Sequence, residues 1–184
     1  MRVLVVDTYY PAFLDAHYAE RPGLAERPYG EQLRSLMERS FGTSDAYSCN
    51  LVELGHEAAE VIVNAAPLQD AWAREHGGAR LARARTRLPG RFGIAARERL
   101  PQRIAAAQVA AFEPDVVYMQ DLWFFSREEL DGLRRDGRFV AGQIASAPPP
   151  PEQLRGFDLI TTSFPHYVER FRALGVASAR KRST

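Results

Sequence analysis

Four consecutive apolar residues, Val3-Leu4-Val5-Val6, open the chain and stop at Asp7. An unbroken run of this length predicts a strand covered on both faces, as in a parallel sheet packed between helices. The signature returns around Val61-Ile62-Val63, in a strand expected over 59–66, and in Val116-Val117-Tyr118-Met119. It recurs again from Phe139 to Ile144 and from Phe157 to Thr162. Between these runs the apolar period lengthens to that of a helix. Helices are expected over 12–20, over 29–39 with Leu33, Leu36 and Met37 buried, and from Asp45 to Gly55 with Tyr47, Leu51 and Leu54 inward. Further helices are expected from Pro67 to Gly77-Gly78, over 95–112, after a Ser126 cap, and from His166 to Gly175. The run Pro148 to Pro151 reads as stiff and extended.

Strands that alternate with helices predict an α/β fold: a Rossmann-like open parallel sheet with helices on both faces. One domain is expected over 1–177. The tail 178–184 is basic, has no apolar pattern, and is expected to be disordered. A chain of 184 residues with 46% hydrophobic content suffices for one core. A net charge of +1 argues against a protein devoted to nucleic acid. The lone Cys49 forms no intrachain disulfide and fits a reducing, cytoplasmic setting. No apolar run reaches membrane-spanning length, and Met1 to Asp7 turns polar too soon for a signal peptide. One stretch changes this picture. Between Arg74 and Arg103 stand nine arginines against two glutamates, interleaved with Leu81, Leu88, Phe92 and Ile94. It reads either as a peripheral contact for anionic lipid or a phosphate-bearing acceptor, or as a solvated arginine-rich helix pair.

Candidate chemistry gathers where strands end. Asp7, Thr8 and Tyr9 follow the first strand, Asp121 the third; Gln143 lies near the end of the fourth, and Ser163 and His166 follow the fifth. In a parallel sheet these positions share the carboxyl edge, the usual place of the ligand crevice. Gly42-Thr43-Ser44 forms a small-residue turn ahead of a helix. It reads either as an anion site at a helix N-terminus, with Thr43 or Ser44 as N-cap, or as a well-capped structural helix. Asp121 can accept a proton from a hydroxyl, or can simply cap the next turn. Tyr9, Tyr10 and Trp123 can stack on a flat ligand face or serve the core. The dinucleotide fingerprint, the phosphate loop, the Gly-x-Ser-x-Gly elbow and any Asp-x-Asp pair are absent, and the histidines are too scattered for a metal site.

Four phrases, in order, resemble the amino-terminal domain of GT-B glycosyltransferases, in particular the branch related to the spore-maturation protein CgeB and to family 4. They are Phe41-Gly42-Thr43-Ser44-Asp45-Ala46-Tyr47-Ser48, Leu54-Gly55-His56-Glu57-Ala58, Pro114-Asp115-Val116-Val117-Tyr118 and Asp158-Leu159-Ile160-Thr161-Thr162-Ser163. The resemblance runs to about Val176. It implies one half of a two-lobed enzyme, the half that holds the sugar acceptor, with the nucleotide-sugar donor bound mainly by a second lobe. It further implies retaining, metal-independent transfer, no cofactor beyond that co-substrate, and no turnover by this half alone. On this resemblance Asp121 is the catalytic candidate. Gly42, Thr43, Ser44, Asp7, Thr8, Tyr9, Gln143, Ser163 and His166 are candidates for binding the acceptor or the donor phosphates. The family continues into a donor domain, so the sequence reads as a truncated enzyme or as a chain completed by another. The alternatives are a non-catalytic glycan- or protein-binding module, and a scaffold for a separate donor-domain chain.

Overall fold

The computed structural model describes residues 1–76 and 100–180. The elements are β1 (Arg2–Asp7), α1 (Pro11–Ala19), a 3-10 turn (Leu24–Glu26), α2 (Tyr29–Met37), α3 (Ala46–Glu53), β2 (Glu57–Ile62) and α4 (Ala66–Glu75). They continue with α5 (Leu100–Phe112), β3 (Val116–Met119), α6 (Arg127–Arg135), β4 (Phe139–Ile144), α7 (Pro151–Leu154), β5 (Leu159–Thr162), α8 (Pro165–Ala173) and β6 (Ser178–Arg180). Six parallel strands lie in the order β2-β1-β3-β4-β5-β6. This is the α/β, Rossmann-like open sheet that the alternating pattern calls for.

Why the central strands read as unbroken apolar runs is now plain. Leu4 and Val6 point to one face, where they join Val61, Val117, Met119, Val140 and Ile160 beneath Ala105 and Val109 of α5, Leu130 of α6 and Phe171 of α8. Each fully buried aliphatic side chain of this kind contributes roughly 1.5–3 kcal/mol relative to exposure. The other face is different in kind. The register aligns Val6, Met119, Gly142 and Ile160. One step on, Asp7, Gln120, Gln143 and Thr161 form a polar row across four strands on the opposite face. α3 packs on β1 and β2 over that face. A second core of Tyr9, Leu14, Leu36, Ile62, Ala65 and Leu68 fills the space between α1, α2 and α4.

Local chemistry sets the element ends. Ser126 and Glu129 form a reciprocal capping box at the start of α6. Gly55, at φ +83°, closes α3 while His56 N–H donates to Leu51 O at 3.0 Å. Asp115 and Asp158 play matching parts at the amino edge: Arg2 N–H donates to Asp115 Oδ2 at 2.7 Å, and Val140 N–H to Asp158 Oδ2 at 2.8 Å.

Four expectations about the elements need correction. Leu54, expected inward, is 73% exposed because α3 ends at Glu53 and Leu54 is its C-cap. β2 covers Glu57–Ile62 rather than 59–66, because the Asn64 side chain binds Tyr9 in both directions and pulls the chain into a turn. The proline run does not stay extended to its end: Pro151 takes the first position of α7, where its missing N–H costs nothing. The expected disorder from Ser178 is also overturned. Ser178–Arg180 form β6, held by parallel pairing to β5 and by Ser178 Oγ donating to Val168 O. Residues 181–184 lie outside the described residues, as does the cationic stretch over 77–99. No helix among the described residues is long and apolar enough to cross a membrane.

Candidate functional site

Chain progression across the sheet reverses at β1. The crossover to β2 runs one way, and β3 to β6 add in the other direction. The carboxyl ends of β1 and β3 therefore flank a topological switch point, where neighbouring connections part and leave a crevice. Asp7 and Thr8 stand on one side of it, Gln120 and Asp121 on the other. They are bonded crosswise: Gln120 Nε2 donates to Asp7 Oδ2 at 3.2 Å, and Thr8 Oγ1 donates to Asp121 Oδ2 at 3.2 Å. All four are half-buried, held in place yet reachable.

Each carboxylate is further oriented by a backbone donor. Thr8 N–H reaches Asp7 Oδ1 at 2.7 Å, and Trp123 N–H reaches Asp121 Oδ1 at 2.8 Å. Asp121 thus caps the turn after β3 while presenting its carboxylate to the crevice. Burial pushes the Asp7 carboxyl up to about 6; the Thr8 N–H opposes the rise, and the nearby Asp121 charge adds to it. Among the described residues neither aspartate is in an ion pair.

The turn ahead of α3 reaches the crevice through one residue. Thr43 Oγ1 accepts from Gln120 Nε2 at 2.6 Å, so Gln120 ties this turn to Asp7. Gly42 is exposed, at φ +62°, and shapes the bend. Ser44 is buried instead, at φ +47°, and its Oγ donates to Met37 O at 2.8 Å. Neither Thr43 nor Ser44 is the N-cap, which is Asp45 without a side-chain cap bond. One backbone donor of the helix N-terminus expected to receive an anion is already taken from within: Ser48 N–H donates to the Glu60 carboxyl of β2 at 3.1 Å. An incoming anion would have to compete with Glu60 for that donor.

The remaining candidates divide. Gln143 stands one strand beyond Gln120 in the polar row, where its Oε1 accepts from Tyr47 at 2.9 Å and from Tyr118 at 2.8 Å. Tyr9 is not available to a ligand: it is 3% exposed and packs edge-on against Phe13 and Phe41. Ser163 and His166 share the edge but follow β5, two strands from β3, roughly 10 Å away by strand spacing. His166 is exposed and stacks on Phe164. Around the crevice mouth Tyr10 is 74% and Trp123 55% exposed, the latter fixed by Nε1 donating to Ala147 O at 3.3 Å.

Gln120, Asn64 and Glu60 have structural roles at the site that the residue pattern did not single out. Asn64 between an apolar strand and Pro67 is a turn signal that would have marked the end of β2. A cavity of about 500 Å³ at the opposite edge is lined by Arg134, Arg135, Arg138, Asp131 and Asp158. Arg134 bonds Asp158 at 2.8 Å and Arg138 bonds Asp136 at 2.6 Å, so these charges are largely satisfied internally. The crevice is the better candidate. Among the described residues no cluster of histidine, cysteine or acidic side chains is arranged to hold a metal. Comparison with protein-family models, curated proteins and solved structures returns no match for this chain.

Proposed function

We propose that this chain is the acceptor-binding half of a nucleotide-sugar-dependent GT-B glycosyltransferase, retaining and metal-independent when joined by a donor-binding lobe or chain. The observation that carries the reading is the crosswise pairing of Asp7 with Gln120 and of Thr8 with Asp121 at the switch point. Carboxylates, amides and hydroxyls at half-buried positions suit a hydroxyl-rich ligand, each hydroxyl of which both donates and accepts. Exposed Trp123 and Tyr10 supply flat apolar faces for a sugar ring at the rim. Asp121, with one oxygen fixed by Trp123 N–H, is the group to accept the acceptor hydroxyl's proton. The Ser48 N–H in the first turn of α3, already taken by Glu60 of β2, supports leaving the donor diphosphate to the other lobe.

Ligand-observed NMR against a panel of saccharides and a panel of nucleotide sugars tests this. The expected result is saccharide binding that Asp121→Asn and Thr8→Val weaken, with no comparable binding of nucleotide sugars. Binding confined to nucleotide sugars, or no difference between variants and parent, would contradict it. Saccharide binding with no transfer in the presence of any donor lobe would favour a non-catalytic glycan-binding module.

A further inference from the structure

Glu60 is 4% exposed, in the middle of β2, and faces the first turn of α3. Its Oε1 accepts from Ser48 N–H at 3.1 Å, while Oε2 is buried with no hydrogen-bond partner. The groups around it are acidic. Asp7 comes from β1, Asp45 from the turn before α3, and the Tyr9 ring from the segment after β1. Exposed Cys49 of α3 lies nearby, and among the described residues no arginine, lysine or histidine pairs with Glu60.

A buried carboxylate with one idle oxygen and two acidic neighbours is costly when charged. Neutral, it loses most of that cost and keeps the Ser48 bond. We propose that Glu60 is a positioning residue: uncharged, it locks the first turn of α3 and the Phe41–Asp45 turn against the sheet, and charged, it releases them. The released segment includes Thr43, which Gln120 ties to Asp7, so the release loosens one wall of the crevice whatever that crevice binds. Burial, with Asp7 and Asp45 adding to it, raises the Glu60 carboxyl to about 7, which places the change near neutral pH. The Ser48 donor only partly offsets it.

Amide hydrogen exchange on the intact chain, corrected for the intrinsic rate, tests the lock from pH 5.5 to 8.5. The local opening constant of Ser48 and its neighbours in α3 is expected to grow about tenfold or more over this range. Glu60→Gln, which keeps an acceptor for Ser48 without a charge, is expected to flatten the dependence at the low-pH level. Equal pH dependence in parent and variant would overturn the proposal. A second measurement needs no variant: carbon NMR titration of Glu60 in the parent protein. A carboxyl that titrates in the ordinary glutamate range would also overturn it; titration near neutrality, together with the exchange change, supports it.

Discussion

Replacing Gly142 by alanine is expected to destabilise the fold through the very turn that carries Asp121. Gly142 lies in β4, buried, directly before Gln143. A Cβ at this position would fall inside the contact shell of Leu122 Cδ2 and lie 3.0 Å from Phe157 Cε1. Neither neighbour has room to retreat, since Leu122 is 1% and Phe157 3% exposed. Overpacking of this kind costs about 1–3 kcal/mol. Removing a strand glycine returns at most about 1 kcal/mol of backbone entropy. The net expectation is a loss of about 1–2 kcal/mol, or about 2–8 °C in melting temperature for a chain of this size. Urea denaturation of Gly142→Ala measures it. In a Leu122→Ala background the same change should cost clearly less, because the vacated volume relieves the closer of the two contacts and leaves only that with Phe157. Stability of Gly142→Ala within 0.5 kcal/mol of the parent, or an undiminished penalty in the Leu122→Ala background, would refute the packing argument.

Three further outcomes are expected. Ser44→Leu should lower stability by about 2–4 kcal/mol in chemical denaturation, from a lost hydrogen bond to Met37 O and an overfilled site; a fully stable Ser44→Leu that merely loses ligand binding would return Ser44 to the site. Asp7 titrates higher in the fold than unfolded, so its contribution to stability is present below the unfolded value near 3.8 and lost as pH rises through about 6. Asp7→Asn should remove that part of the pH dependence in denaturation curves, and an unchanged profile would contradict the assignment. Saccharide affinity should move the other way, rising between pH 5 and 7 as Asp7 becomes a charged acceptor, and titration calorimetry across that range should show a rise that Asp7→Asn lacks.

The fold was readable because β1, β3 and β4 carry mostly apolar runs and the crossovers between strands carry a helical period. Val3 to Val6 could be nothing but an interior strand once helices lay on either side. The switch point followed less directly. Strand order is not written in any one segment, and Asp7 and Asp121 were placed at one edge by topology without a partner for either. What the sequence hid is side-chain direction. Ser44 and Thr43 are neighbours of similar chemistry, yet one points into the core toward Met37 and the other meets Gln120. Tyr9 and Tyr10 divide the same way, one into an aromatic cluster and one into solvent. Glu60 was hidden for a different reason: in Glu57-Ala58-Ala59-Glu60 it passes as an ordinary exposed strand charge. Only the packing of α3 onto β2 turns it into the buried carboxyl that takes the Ser48 N–H. The β6 strand was missed because Ser178–Arg180 has no apolar signature; an edge strand needs only backbone pairing on one side.

We propose that the crevice between β1 and β3 receives a hydroxyl-rich ligand. Backbone chemical-shift mapping with a saccharide that binds the chain tests it most directly. The expected shifts concentrate at Thr8, Thr43, Gln120, Asp121 and Trp123. Shifts centred instead on Arg134, Arg138 and Asp158 at the opposite edge, with the crevice amides unmoved, would contradict it.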